Sequence, residues 1–273
     1  MSIKKHTDVN DPVWDIASPF VARMGDDVFV LGSSAIIAPG IAITATHVFE
    51  EYQSRFAPKQ SLRGTLDVAY QLQLISARQG GYWDVAEVYG NKLTDIVFLK
   101  IQPGNDMAKK MPVRKTRLSP LPPKISSQVT AFGFPRSKVL SNTDVHADLD
   151  LSPIESTGSV TDVYQIRRES ALVTFPSFQV NTPYPGGMSG GPVFNDKMEI
   201  CGVVSVGSNF QDESEDPLSY AASLWPSTGI LFYENEQPET IYAMGKKRRL
   251  DIGSLERIIL TPDGDGFRPS FKV

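Results

Sequence analysis

With 273 residues, 41% of them hydrophobic and 10% aromatic, the chain has an ordinary globular composition and ample length for a packed core. A net charge of −4 gives no general attraction to nucleic acid or an anionic membrane, no apolar run is long enough to span a bilayer, and the start Met1-Ser2-Ile3-Lys4-Lys5-His6 lacks the apolar stretch of a secretory leader. The single cysteine, Cys201, precludes an internal disulfide and fits a reducing compartment, so the expected location is cytoplasmic; the residue itself reads as a small buried apolar side chain.

After an N-terminal extension over 1–18, short apolar or alternating runs occupy 20–23, 28–31, 34–37, 41–45, 66–75, 83–89 and 96–101, broken by Gly, Asp and Asn. That cadence is all-β with tight turns. One short helical turn is expected over 48–54, directly after His47, which ends the small and apolar run Gly40-Ile41-Ala42-Ile43-Thr44-Ala45-Thr46. Asp95 enters the run Ile96-Val97-Phe98-Leu99. A proline-rich connector over 104–127 carries Lys109, Lys110, Arg114, Lys115 and Arg117, and a second strand-rich half follows, with runs at 129–134, 158–163, 171–175, 178–180, 192–194, 201–206 and 219–224. From 234 to 273 the chain holds the basic cluster Lys246-Lys247-Arg248-Arg249, read as a solvated face, then helix-like spacing that predicts a helix over 254–260, then a polar tail.

The stretch that carries chemistry is Tyr184-Pro185-Gly186-Gly187-Met188-Ser189-Gly190-Gly191-Pro192. Glycines around a serine permit backbone angles closed to other residues and expose bare N–H groups to a substrate carbonyl, so Gly187 and Ser189 amides form an expected oxyanion hole. A serine hydroxyl needs a base, and the base needs an orienting group. There are three histidines, His6, His47 and His146. His146 lies in Asp144-Val145-His146-Ala147-Asp148 with no partner histidine, so a solvated loop is expected there and no metal site. Asp84 and Glu87 rival Asp95 as the acid, but neither heads an apolar strand.

At these residues the chain resembles the trypsin-like (chymotrypsin-fold) serine peptidases, which have a small-residue run ending in the catalytic His, an Asp heading an apolar strand, and then Gly-x-Ser-Gly-Gly-Pro. The order His47, Asp95, Ser189 is that family's, with separations of 48 and 94 residues. The resemblance implies two six-stranded antiparallel β-barrels, over 19–103 and 128–233, with the active site in the cleft between them and a C-terminal helix and tail. It implies Ser189 as nucleophile, His47 as general base and Asp95 as its orienting acid, with no cofactor and no metal. Cys201-Gly202-Val203-Val204 resembles the strand leading to the specificity pocket, so Ser205, Val206 and Gly207 are expected to pair with substrate backbone. Pro183, six places before the serine, falls where the pocket floor is set. A neutral floor, Gly207 leaving the mouth open and a small wall over Tyr220-Ala221-Ala222-Ser223 imply an uncharged, small to medium apolar residue before the cut bond. The acidic run Asp212-Glu213-Ser214-Glu215-Asp216 is the competing source of a preference for Arg or Lys.

Met188 departs from the pattern of enzymes activated by cleavage, where an aspartate before the serine pairs with a new N-terminal ammonium; the chain also has no Ile-Val-Gly-Gly start. Regulation is then expected from a protein partner or a closing loop. The implied partners are a protein or peptide substrate, with neither nucleic acid nor membrane. The alternative function is a catalytically silent peptide-binding or regulatory module of the same fold; the intact His, Asp and Ser set argues against it.

Overall fold

A computed structural model of the chain describes residues 2–8, 10–25, 27–57, 61–66, 71–76, 80–135, 137–142, 147–207, 218–234, 237–264 and 266–272. Its first half contains β1 (Ser2–Lys5), β2 (Ala17–Met24), β3 (Asp27–Ala38), β4 (Ile41–Thr44), α1 (Thr46–Arg55), β5 (Arg63–Thr65), β6 (Gln71–Ile75), β7 (Tyr82–Gly90) and β8 (Val97–Pro103). Strands β7, β6, β2, β3, β4 and β8 are joined edge to edge, and β8 pairs back onto β7 to close a six-stranded antiparallel barrel, with β5 added beside β7. Closure removes the free edges that an open sheet would expose. Alternation seats Phe20, Ile37, Ile43, Leu72, Leu74 and Phe98 inside at 0% exposure.

The connector holds α2 (Asp106–Lys110), capped by the Asn105 side chain, which accepts from Ala108 N–H. The second half contains β9 (Gln128–Gly133), the hairpin β10 (Lys138–Asn142) with β11 (Ala147–Asp150), then β12 (Ile154–Tyr164), β13 (Ser177–Val180), β14 (Pro192–Phe194), β15 (Ile200–Val206) and β16 (Ser219–Ser223). Here β12, β13, β16, β15, β14 and β9 form the second closed six-stranded barrel, with β9 returning to β12. The expected strand over 171–175 does not form; those residues are bends and irregular chain leading into β13.

Both ends are built into the molecule. β1 pairs with β12, and His6 behind it is buried against the rings of Trp14 and Phe132, with Nδ1 3.2 Å from Glu155. The first residues therefore belong to the flank of the second barrel. Beyond it come β17 (Leu231–Glu234), β18 (Gln237–Thr240), α3 (Ile241–Lys246), β19 (Ile258–Asp263) and β20 (Gly266–Phe271). The helix lies earlier than predicted: 254–260 is a short 3₁₀ turn running into β19, and β19 pairs with β20 where a tail was expected. Pro262-Asp263-Gly264 is a turn signal that the helix-like spacing of Ile252, Leu255 and Ile259 obscured. α3 docks Ile241 and Met244 in the core, and Tyr89 of the first barrel packs on Phe232 with ring centroids 4.6 Å apart. In the basic cluster Lys246, Lys247 and Arg248 are exposed; Lys247 and Arg249 reach Glu239, and Arg249 also reaches Glu234. No helix among the described residues is long and apolar enough to cross a membrane.

Candidate active site

His47 stands in the first turn of α1, which has no capping side chain of its own because Ala45 precedes it. Asp95, in the turn before β8, supplies what is missing. Its carbonyl accepts from Thr46 N–H (3.2 Å) and its Oδ1 from His47 N–H (3.0 Å), taking two donors that a helix start leaves unpaired. Its Oδ2 accepts from His47 Nδ1 at 2.8 Å and from the Ser205 hydroxyl at 2.5 Å. One acid thus caps the helix and holds the imidazole that the helix carries, fixing the proton on Nδ1 and leaving Nε2 free as a base. Asp95 is 6% exposed, whereas the His47 side chain is 41% exposed and open to the cleft. Burial pulls the imidazole's pKa down, but the bond to Asp95 and the negative charges of Asp95, Glu50 and Glu51 outweigh it and hold the pKa above the ordinary 6.5.

The serine loop is held from the opposite barrel. Met188 N–H closes a turn onto the Pro185 carbonyl at 3.0 Å, with Gly187 at the position that needs a positive φ (95°). Ser33 of β3 then binds the loop in two places: its N–H donates to the Ser189 carbonyl (2.8 Å) and its hydroxyl to the Gly187 carbonyl (2.8 Å). The same hydroxyl accepts from Phe134 N–H at 2.9 Å, and the Ser33 carbonyl accepts from the Thr44 hydroxyl at 2.7 Å. Gly190 (φ 87°) fits only without a side chain, since a Cβ there would stand 2.1 Å from the Ser33 carbonyl oxygen. These bonds leave the Gly187 and Ser189 N–H groups without a partner among the described residues, both on the loop that carries the Ser189 hydroxyl. That hydroxyl donates to the Ser205 carbonyl at 3.2 Å, not to the imidazole.

His47, Asp95, Ser189, Ser205, Val206 and Gly207 line one cleft of about 650 Å³. Its contents suit acyl transfer: a hydroxyl, an oriented imidazole and free backbone donors. Residues 29–203 match the trypsin-like peptidase domain. The chain belongs to the trypsin-like peptidase family. Among solved structures the peptidase is similar to the active form of the Rv3671c protease of M. tuberculosis, at 14% identity and a TM-score of 0.50, covering 79% of this chain and 80% of that one. The inactive form of that protease is 13% identical, with a TM-score of 0.47, covering 82% and 93% of the two chains. No curated protein matches.

Several expectations about the peptidase's specificity pocket need correction. Pro183 is buried, its carbonyl accepting from the Ser156 hydroxyl at 2.7 Å, and it does not line the cleft. The segment Tyr220-Ala221-Ala222-Ser223 belongs to β16, paired on both sides and buried in the second barrel. Gly207 lines the cleft, and it must be glycine there: a Cβ on it would lie 1.9 Å from the Tyr184 carbonyl oxygen, so the strand after β15 and the loop before Ser189 are in contact. The acidic run 212–216 and His146 lie outside the described residues. Met188 is 0% exposed among the apolar side chains of the second barrel, where no ammonium could be solvated. The rival acids are engaged elsewhere, Asp84 with Gln73 and Glu87 with Lys100. Cys201 is buried, and burial pushes its thiol up to about 12, which leaves it inert at neutral pH.

Sequence reasoning missed Ser33 and the second role of Ser205. Ser33 carries no local motif; its meaning lies in a contact 154 residues away. Ser205 was expected to face substrate with its backbone, and its side chain also steadies Asp95.

Proposed function

We propose that the protein is a serine endopeptidase acting through Ser189, His47 and Asp95. The observation that carries this reading is the bond from His47 Nδ1 to buried Asp95, which leaves Nε2 facing a cleft shared with Ser189. Ser189 Oγ attacks the substrate carbonyl carbon while its proton passes to His47 Nε2, and the unpartnered Gly187 and Ser189 amides receive the developing oxyanion. The C–N bond then breaks, the amine leaves with the proton from His47, and water repeats the sequence in reverse on the acyl ester. A substrate N–H that takes the Ser205 carbonyl competes with the Ser189 hydroxyl for that acceptor and releases the hydroxyl toward the base. The buried thioether of Met188 supports activity without an N-terminal ion pair, so control falls to a partner or a closing loop.

The direct test is labelling with a fluorophosphonate. A covalent adduct on Ser189, absent in Ser189→Ala and in His47→Ala chains of unchanged melting temperature, is expected. Equal labelling of the Ser189→Ala chain, or none of the wild type, points instead to the silent peptide-binding module.

A further inference from the structure

Beside the catalytic cleft lies a second one of about 350 Å³, and the two share Lys92 and Thr174. The charged groups lining it are all of one sign: Lys92 from the loop before Asp95, Arg167 from the segment between β12 and β13, and Arg268 from β20, with no carboxylate among them. All three are exposed, and none bonds to another described residue. Their neighbours differ: Arg168 pairs with Glu169 and lies over the Tyr220 ring, and Arg257 donates to the Lys272 carbonyl. In a chain with an excess of acidic residues, three unpaired cations converging on one cleft leave a local positive potential that an anionic occupant relieves. An apolar surface completes the cleft, with the Trp225 ring packed edge-on to Phe271 and Ile166 78% exposed.

Its position relates it to the substrate. Val206 and Gly207 share the catalytic cleft with Leu172, Thr174 and Phe175, and Thr174 continues into the second cleft. A peptide laid along the Ser205–Gly207 edge therefore enters the second cleft with residues it carries before the cut bond. We infer that this cleft is an extended substrate site for an acidic stretch, Asp or Glu, several residues upstream of the scissile bond. The inference rests on the endopeptidase reading for its place in the substrate, while the anion preference rests on the cleft alone.

The test uses three fluorescent peptides with one common core and an upstream segment of three Glu, three Gln or three Lys. Anisotropy on the Ser189→Ala chain reads binding without turnover, and kcat/KM on the wild type reads cleavage. The Glu peptide is expected to exceed the Gln peptide by about tenfold in both, the size of a few exposed ion pairs, with the Lys peptide weakest. High salt and the Arg167→Gln/Arg268→Gln substitution should each bring the Glu to Gln ratio near one, and Arg268→Glu should raise the Lys peptide relative to the Glu peptide. Equal binding of Glu and Gln peptides overturns the inference, as does a preference that survives the double substitution. Acidic preference in binding with no cleavage of any peptide sinks the endopeptidase reading and leaves the cleft standing; cleavage indifferent to the upstream segment does the reverse.

Discussion

His47 and Ser33 carry the sharpest expectations at the scale of single residues. In the proposed mechanism His47 works as neutral imidazole, and Asp95 with Glu50 and Glu51 holds its pKa above the ordinary 6.5. The acid limb of kcat/KM should then fall above pH 6.5, and Asp95→Asn should shift that limb down while lowering activity by roughly 10³–10⁴-fold. A limb that stays put in Asp95→Asn would show that another group titrates. The stability linkage runs the same way: a raised folded pKa stabilises below the unfolded value and is lost as pH rises through the folded one. For Ser33, whose hydroxyl bonds the Gly187 carbonyl, replacement by Ala frees the turn that aims the Gly187 amide. It also strips Phe134 N–H of its acceptor, a cost of about 1–3 kcal/mol. We expect kcat to fall about tenfold or more with KM nearly unchanged, and affinity for a tetrahedral boronate to fall by the same factor. A merely structural role would lower the melting temperature and leave boronate affinity intact.

At the scale of elements, legibility followed locality. The run before His47, the run after Asp95 and the glycines around Ser189 are each contiguous in sequence, and the three residues they flag, His47, Asp95 and Ser189, line one cleft. The pocket walls were not legible, because they come from segments whose separation depends on how two strands approach. Gly207 lines the cleft, but its close approach to the Tyr184 carbonyl, 23 residues away, leaves no trace in the local sequence. The C-terminal segment misled for another reason: Ile258 and Leu260 alternate as in a strand, while Ile252, Leu255 and Ile259 fall at helical spacing, and pairing with β20 decided the outcome. The wall contact has a consequence for specificity. With the loop and the strand touching at Gly207, we expect small uncharged residues, Ala, Ser, Thr or Val, to dominate before the cut bond. A peptide-library digest read by mass spectrometry checks this, and dominant cleavage after Arg or Lys would defeat it.

At the scale of the whole molecule, the two barrels are not independent supports for a site laid between them. Asp95 bonds Ser205 across the cleft, Ser33 bonds the loop of Ser189, and one apolar cluster runs from Phe20 and Phe98 of the first barrel through Phe132 and Phe134 to Ile241, Met244 and Leu250. The part after Glu234 is therefore a strap that ties the second half back onto the first. Leu118 bridges both Ile200 and Ile252 on that side, and Arg117 joins Glu199 to Asp251. Burying Ile241, Met244 and Leu250 is worth roughly 1.5–3 kcal/mol apiece. Together that is about 5–9 kcal/mol, a large share of the 5–15 kcal/mol of a typical domain. A chain ending at Glu234 keeps every residue of the proposed triad, yet it should fail to fold or melt at far lower temperature, and its labelling by fluorophosphonate should vanish with the fold. Leu250→Ala, which leaves the chain complete, should lower the melting temperature alone, with kcat/KM on a small peptide within about twofold of wild type. A truncated chain that melts with the intact one would show that the strap contributes nothing to the barrels it covers.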